Sequence, residues 1–68
     1  MKDYIDRIIE LRIDNDIKQE NIAKILKTNQ TNYSKIERRK LKLNIEQLMT
    51  LCHFYNVSAD YILDTYPQ

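Results

Sequence analysis

Amides, hydroxyls and bases crowd into one short stretch of the chain. Asn29, Gln30, Thr31, Asn32, Ser34 and Lys35 fall within seven consecutive residues, and Arg38, Arg39, Lys40 and Lys42 follow directly. Carboxamides match the paired donor and acceptor on the major-groove edge of adenine, and a lysine or arginine matches guanine. A cluster of bases neutralises phosphates. Such a stretch is suited to a nucleic acid, although a basic run is also what an ordinary solvated face looks like, so its surroundings must decide.

The overall charge of +1 on 68 residues argues by itself against a polyanion partner. Its distribution reverses that inference. Residues 1–26 hold five basic and six acidic side chains, residues 27–42 hold six basic ones against Glu37 alone, and residues 43–68 hold Glu46, Asp60 and Asp64 with no base. The middle is strongly positive between two acidic flanks, an arrangement that focuses a polyanion on one segment.

Other chemistry is poorly provided for. The chain has no glycine, hence no glycine-rich phosphate loop, and shows no nucleophile paired with a base, so no enzymatic activity, catalytic residue or cofactor is expected. Cys52 is the single cysteine and His53 the single histidine, which offers no metal-ligand spacing; Cys52 is expected to pack as a small buried side chain. No apolar run is long enough for a membrane span or a signal peptide, and a lone cysteine suits a reducing compartment, so the expected location is the cytoplasm. At 43% hydrophobic and 31% charged, the composition is that of one small globular domain covering residues 1–68.

The elements that must carry these side chains are legible as helices at about residues 3–14, 18–26, 30–38, 45–55 and 59–64, with no segment alternating as a strand does. In the first, Tyr4, Ile5, Ile8, Ile9 and Leu11 recur at three- and four-residue spacings. The second is short, with Ile22, Ala23, Ile25 and Leu26. Asn29 is a suitable N-cap for the third, whose apolar stripe is only Tyr33 and Ile36. A helix buries little through two side chains, so its polar outer face calls for a functional explanation. Asn44 and Gln47 form the pattern of a capping box before the fourth helix, where Ile45, Leu48, Met49, Leu51, Cys52 and Tyr55 are expected to supply a broad buried face. Asn56 suits a left-handed C-cap and Ser58 an N-cap for the fifth helix.

A short helix, a three-residue turn and a third helix with a polar face make up the order of a helix-turn-helix, the third helix entering the major groove of double-stranded DNA. On Arg7-Ile8, Leu11-Arg12, Lys18 to Ala23, Asn29-Gln30, Tyr33 to Arg38, Leu48 to Cys52 and Asn56 to Leu63, the chain resembles the phage-repressor-like (Cro/repressor, XRE) helix-turn-helix family. That resemblance spans about residues 7–63 and implies an all-α, five-helix domain that regulates transcription, as a repressor, by sequence-specific DNA binding. It implies base reading by Gln30, Thr31, Asn32, Ser34 and Lys35. It implies phosphate contacts from Gln19, which would also brace a base-reading side chain, with Asn29, Arg38, Arg39, Lys40 and Lys42. It further implies a structural ion pair between Arg12 and Glu37, partly buried.

Departures from the family pattern concern the turns. Glycine is usual where Asp16, Lys27, Arg39 and Asn56 stand, and a left-handed backbone at Lys27 or Arg39 would cost roughly 1 kcal/mol each, unless those turns are rebuilt. Leu43 stands in place of the usual proline. One such domain contacts few bases, so a homodimer on half-sites about 34 Å apart is expected. Its contact is placed first on Tyr61, Ile62 and Tyr66, and second on a stripe of Ile5, Ile9 and Ile13. The rival function is an antitoxin or antirepressor that uses the same fold to clasp a protein such as a toxin.

Overall fold

A computed structural model describes residues 3–63. Within them lie five helices: α1 (Tyr4–Asp14), α2 (Gln19–Ile25), α3 (Gln30–Glu37), α4 (Ile45–Tyr55) and α5 (Ala59–Leu63). The described residues contain no strand. Each helix begins and ends close to its expected place. Leu26 and Arg38, expected inside α2 and α3, are the C-caps of those helices. Asp64, expected in α5, and Tyr66, expected at a dimer contact, lie outside the described residues.

Local sequence explains the starts. Asp3 accepts from the Asp6 amide and Asp6 from the Asp3 amide, both at 3.0 Å, a reciprocal capping box that opens α1. Asn44 and Gln47 do the same for α4 at 2.7 and 3.0 Å. The Asn29 side chain accepts from the Asn32 amide at 2.8 Å, and Ser58 Oγ accepts from the Tyr61 amide at 3.0 Å. Only α2 opens without such help, on Lys18.

The helix ends share one device. After α1, α2, α3 and α4 the chain turns through a residue with positive φ: Asp16 (58°), Lys27 (59°), Arg39 (63°) and Asn56 (57°). In each case this residue's amide and the next one bond back into the last turn, as with Lys27 to the Lys24 carbonyl at 3.0 Å and Thr28 to the Ala23 carbonyl at 2.9 Å. These are Schellman motifs, and glycine normally fills their left-handed position because a Cβ is strained there. The turns are therefore not rebuilt around Lys27 and Arg39; both residues adopt the strained conformation.

Every helix contributes to one core. Ile8, Ile22, Tyr33, Ile36, Leu51 and Ile62 are fully buried, with Ile5, Ala23, Leu26 and Cys52 beside them. Each large side chain so buried contributes about 1.5–3 kcal/mol of transfer free energy. The short α3 is thus held by Tyr33 and Ile36 as its stripe required.

Three apolar expectations need correction. Ile45 and Met49 are 78% and 56% exposed, because helical rotation turns them away from the Leu48, Leu51 and Cys52 side. Ile62 belongs to the core at 0% exposure and is not available to a second chain. The stripe of Ile5, Ile9 and Ile13 is not a surface either: Ile5 is buried, Ile9 is half-buried and packs on the core, and only Ile13 is exposed.

Candidate nucleic-acid interface

With 3.6 residues per turn, Thr31, Ser34, Lys35 and Arg38 fall on the side of α3 opposite Tyr33 and Ile36, with Gln30 and Asn32 flanking them. Gln30, Thr31, Lys35 and Arg38 are exposed, and Asn32 and Ser34 are half-buried. The expected base readers therefore share one continuous polar face. Lys40 and Lys42 are exposed immediately beyond it. Among the described residues, no ion pair engages Lys27, Lys35, Arg38, Lys40 or Lys42. Arg38 Nε makes a long 3.4 Å contact to the Ser34 carbonyl.

Asn29 has already committed its side-chain oxygen to the α3 cap, which leaves its NH2 as the donor end. Gln19 is committed too, donating from Nε2 to Glu37 Oε1 at 2.9 Å. An amide NH2 carries two hydrogens, so a second donor remains at Gln19 for an anion.

Beneath this face sits a polar junction. Arg12 grips Glu37 bidentately, Nε to Oε2 at 2.7 Å and Nη2 to Oε1 at 3.1 Å, and its Nη1 donates to the Ile17 carbonyl at 2.9 Å. The two side chains are 16% and 7% exposed. Burial works to raise the Glu37 pKa, yet hydrogen bonds from Arg12, Tyr33 and Gln19 outweigh it and hold the carboxyl below its ordinary value. The Tyr33 phenol, in the core, is pushed upward chiefly by burial. One carboxylate at the end of α3 thus ties α1, α2 and the α1–α2 turn together, and it fixes the angle at which α3 is presented.

Arg39 was expected on phosphate, and the structure gives its guanidinium other partners. Nε donates to Asp3 Oδ2 at 3.0 Å, and Nη2 donates to Asp3 Oδ1 at 2.8 Å and to Asp6 Oδ1 at 2.9 Å. Hydrogen bonding to Arg39 holds the Asp3 carboxyl down at about 2. The sequence does carry a signal for the Asp3–Asp6 capping pattern. It carries none for a partner 36 residues away. A second unforeseen contact places the Arg7 guanidinium 4.6 Å from the Tyr61 ring centroid, a cation–π contact that ties α1 to α5.

Cys52 is buried and unpaired, and His53 is exposed. The described residues contain no group of His, Cys, Asp or Glu that could hold a metal. No helix among them is long and apolar enough to cross a membrane.

Residues 5–67 match a helix-turn-helix domain family. Among solved structures, the chain is similar to the P22 c2 repressor protein, crystallised in complex with synthetic operator 9T in the presence of Tl+. The TM-score is 0.82 at 26% identity, covering 97% of this chain and 100% of that one. No curated protein matches.

Proposed function

The chain belongs to the helix-turn-helix family, as a DNA-binding transcriptional regulator of the phage-repressor type, and from that premise we propose that it acts as a sequence-specific repressor reading the major groove with α3. The observation that carries this is the exposed polar face of α3, continuous with Lys40 and Lys42 and unpaired by acids among the described residues. Gln30, Thr31, Asn32, Ser34 and Lys35 meet base edges or the phosphates beside them. Arg38, Lys40 and Lys42 take phosphates as the chain leaves the groove, with Gln19 and Asn29 donating their remaining amide hydrogens from the opposite side.

Arg12 and Glu37 do not touch DNA in this scheme. They hold α3 at a fixed angle so that its side chains arrive pre-ordered. One helix-turn-helix domain spans the chain and works in the cytoplasm as a homodimer, since a single α3 reads too few bases for useful specificity. Exposed Tyr61 and Leu63 on α5, and Met49 and Phe54 on α4, support a second copy as partner.

Selection of duplexes from a random pool, followed by titration against salt, tests this. Six phosphate contacts predict a loss of about 10³-fold in affinity between roughly 50 and 200 mM salt, whereas a protein clasp would hardly respond. Gln30→Ala is expected to relax preference at one base pair by ~1–3 kcal/mol. An equal loss on all sequences would refute base reading by Gln30.

A further inference from the structure

We propose that Arg39 is a positioning residue rather than a DNA contact: a latch that fastens the loop after α3 to the start of α1 and takes no phosphate. The inference rests on the DNA-binding function proposed above and reassigns one residue within it.

Three observations carry it. First, the guanidinium is occupied: its three hydrogen bonds of 2.8–3.0 Å to Asp3 and Asp6 use the fork geometry in which Arg exceeds Lys. Second, two carboxylates around one guanidinium leave this corner with a net negative charge, which repels a phosphate. Third, Arg39 sits at φ 63°, the left-handed position of the Schellman motif, and not on the helical face that carries Thr31, Lys35 and Arg38. The amides of Lys40 and Leu41 bond to the Lys35 carbonyl just beyond it, at 2.8 and 3.3 Å. A latch at residue 39 therefore sets where Lys40 and Lys42 stand relative to α3. The acids that hold it are themselves fixed by their capping box.

Arg39→Ala, Arg39→Lys and the double variant Asp3→Asn/Asp6→Asn test the assignment, on a duplex that the wild-type protein selects. Asparagine at both acidic positions preserves the capping bonds and removes the charges, so α1 retains its start. The latch predicts several-fold weaker binding by Arg39→Ala with an unchanged dependence of log affinity on log salt. It predicts that Arg39→Lys resembles Arg39→Ala, because an ammonium cannot reproduce the fork. It also predicts faster hydrogen exchange at the Lys40 amide in the free protein, both in Arg39→Ala and in the double variant. A salt slope flattened by about 0.9 in Arg39→Ala, the signature of one lost phosphate contact, would overturn the proposal. So would Arg39→Lys binding as wild type does, or Lys40 exchange left unchanged in the double variant. If the wild-type protein selects no duplex, the DNA-binding function fails; the exchange measurements then still decide whether the latch exists.

Discussion

Arg12 and Arg39 both grip carboxylates across the junction of α1 with the end of α3, Arg12 holding Glu37 and Arg39 holding Asp3 and Asp6, and they differ mainly in their access to water. The Arg12 and Glu37 side chains are 16% and 7% exposed, whereas those of Arg39 and Asp3 are 46% and 37% exposed. The same bidentate chemistry therefore has two different uses. In the sealed pair each charge depends on the other, since removing one strands its partner away from solvent. In the wet pair water and salt can replace either partner, so the contact orders a loop more than it stabilises a fold.

The largest expected effect breaks the sealed pair. Arg12→Ala should destabilise the protein by about 3 kcal/mol in a denaturant titration, because Glu37 keeps only Gln19 and Tyr33 for compensation. A loss below about 1 kcal/mol would mean that Glu37 behaves as a surface carboxylate and that the contrast drawn here is wrong.

The next effect, opposite in sign, comes from the strained turns. Lys27→Gly should stabilise the protein by ~1 kcal/mol, because glycine relieves the left-handed backbone at a position whose side chain has no ion pair among the described residues. Arg39→Gly relieves the same strain but removes the latch, so its gain should be the smaller of the two. Thermal midpoints of the two variants measured side by side give the comparison directly; equal gains would leave the latch without a share in stability.

That asymmetry marks how far the sequence could be read. Caps and helix periods are local, so Asp3, Asn29, Asn44 and Ser58 revealed the helix starts, and the spacing of Tyr33 and Ile36 revealed how α3 is anchored. The left-handed positions were legible as places where a glycine was missing, and their geometry was not, because a lysine in a sequence does not disclose its φ. The exposure of Ile45 and Met49 was hidden for a related reason: periodicity in a helix rich in apolar residues does not say where the buried sector ends. The partners of Arg39 could not be read at all, since the pairing joins residues 36 positions apart and depends on how α1 docks. The basic run was visible from its composition, but which of its charges are already neutralised was not.

Acid separates the two arginine sites by the smallest effect. Asp3 is held at about 2 in the folded protein, below its ordinary 3.8, chiefly by its hydrogen bonds to Arg39. A carboxyl whose folded pKa is depressed contributes its stability in full above the unfolded value and loses it as pH falls toward the folded one. The contribution of Asp3 therefore fades between about pH 4 and pH 2, and Asp3→Asn, which keeps the cap, should flatten the stability profile in that window alone. Glu37 is also depressed, so its contribution likewise fades on the acid side of its ordinary 4.5. Salt distinguishes them. Raising the ionic strength to about 1 M shortens the screening length to roughly 3 Å, which should erase most of the difference between wild type and Asp3→Asn. The difference between wild type and Glu37→Gln should largely survive, because the burial that costs Glu37 its hydration also keeps the screening ions out.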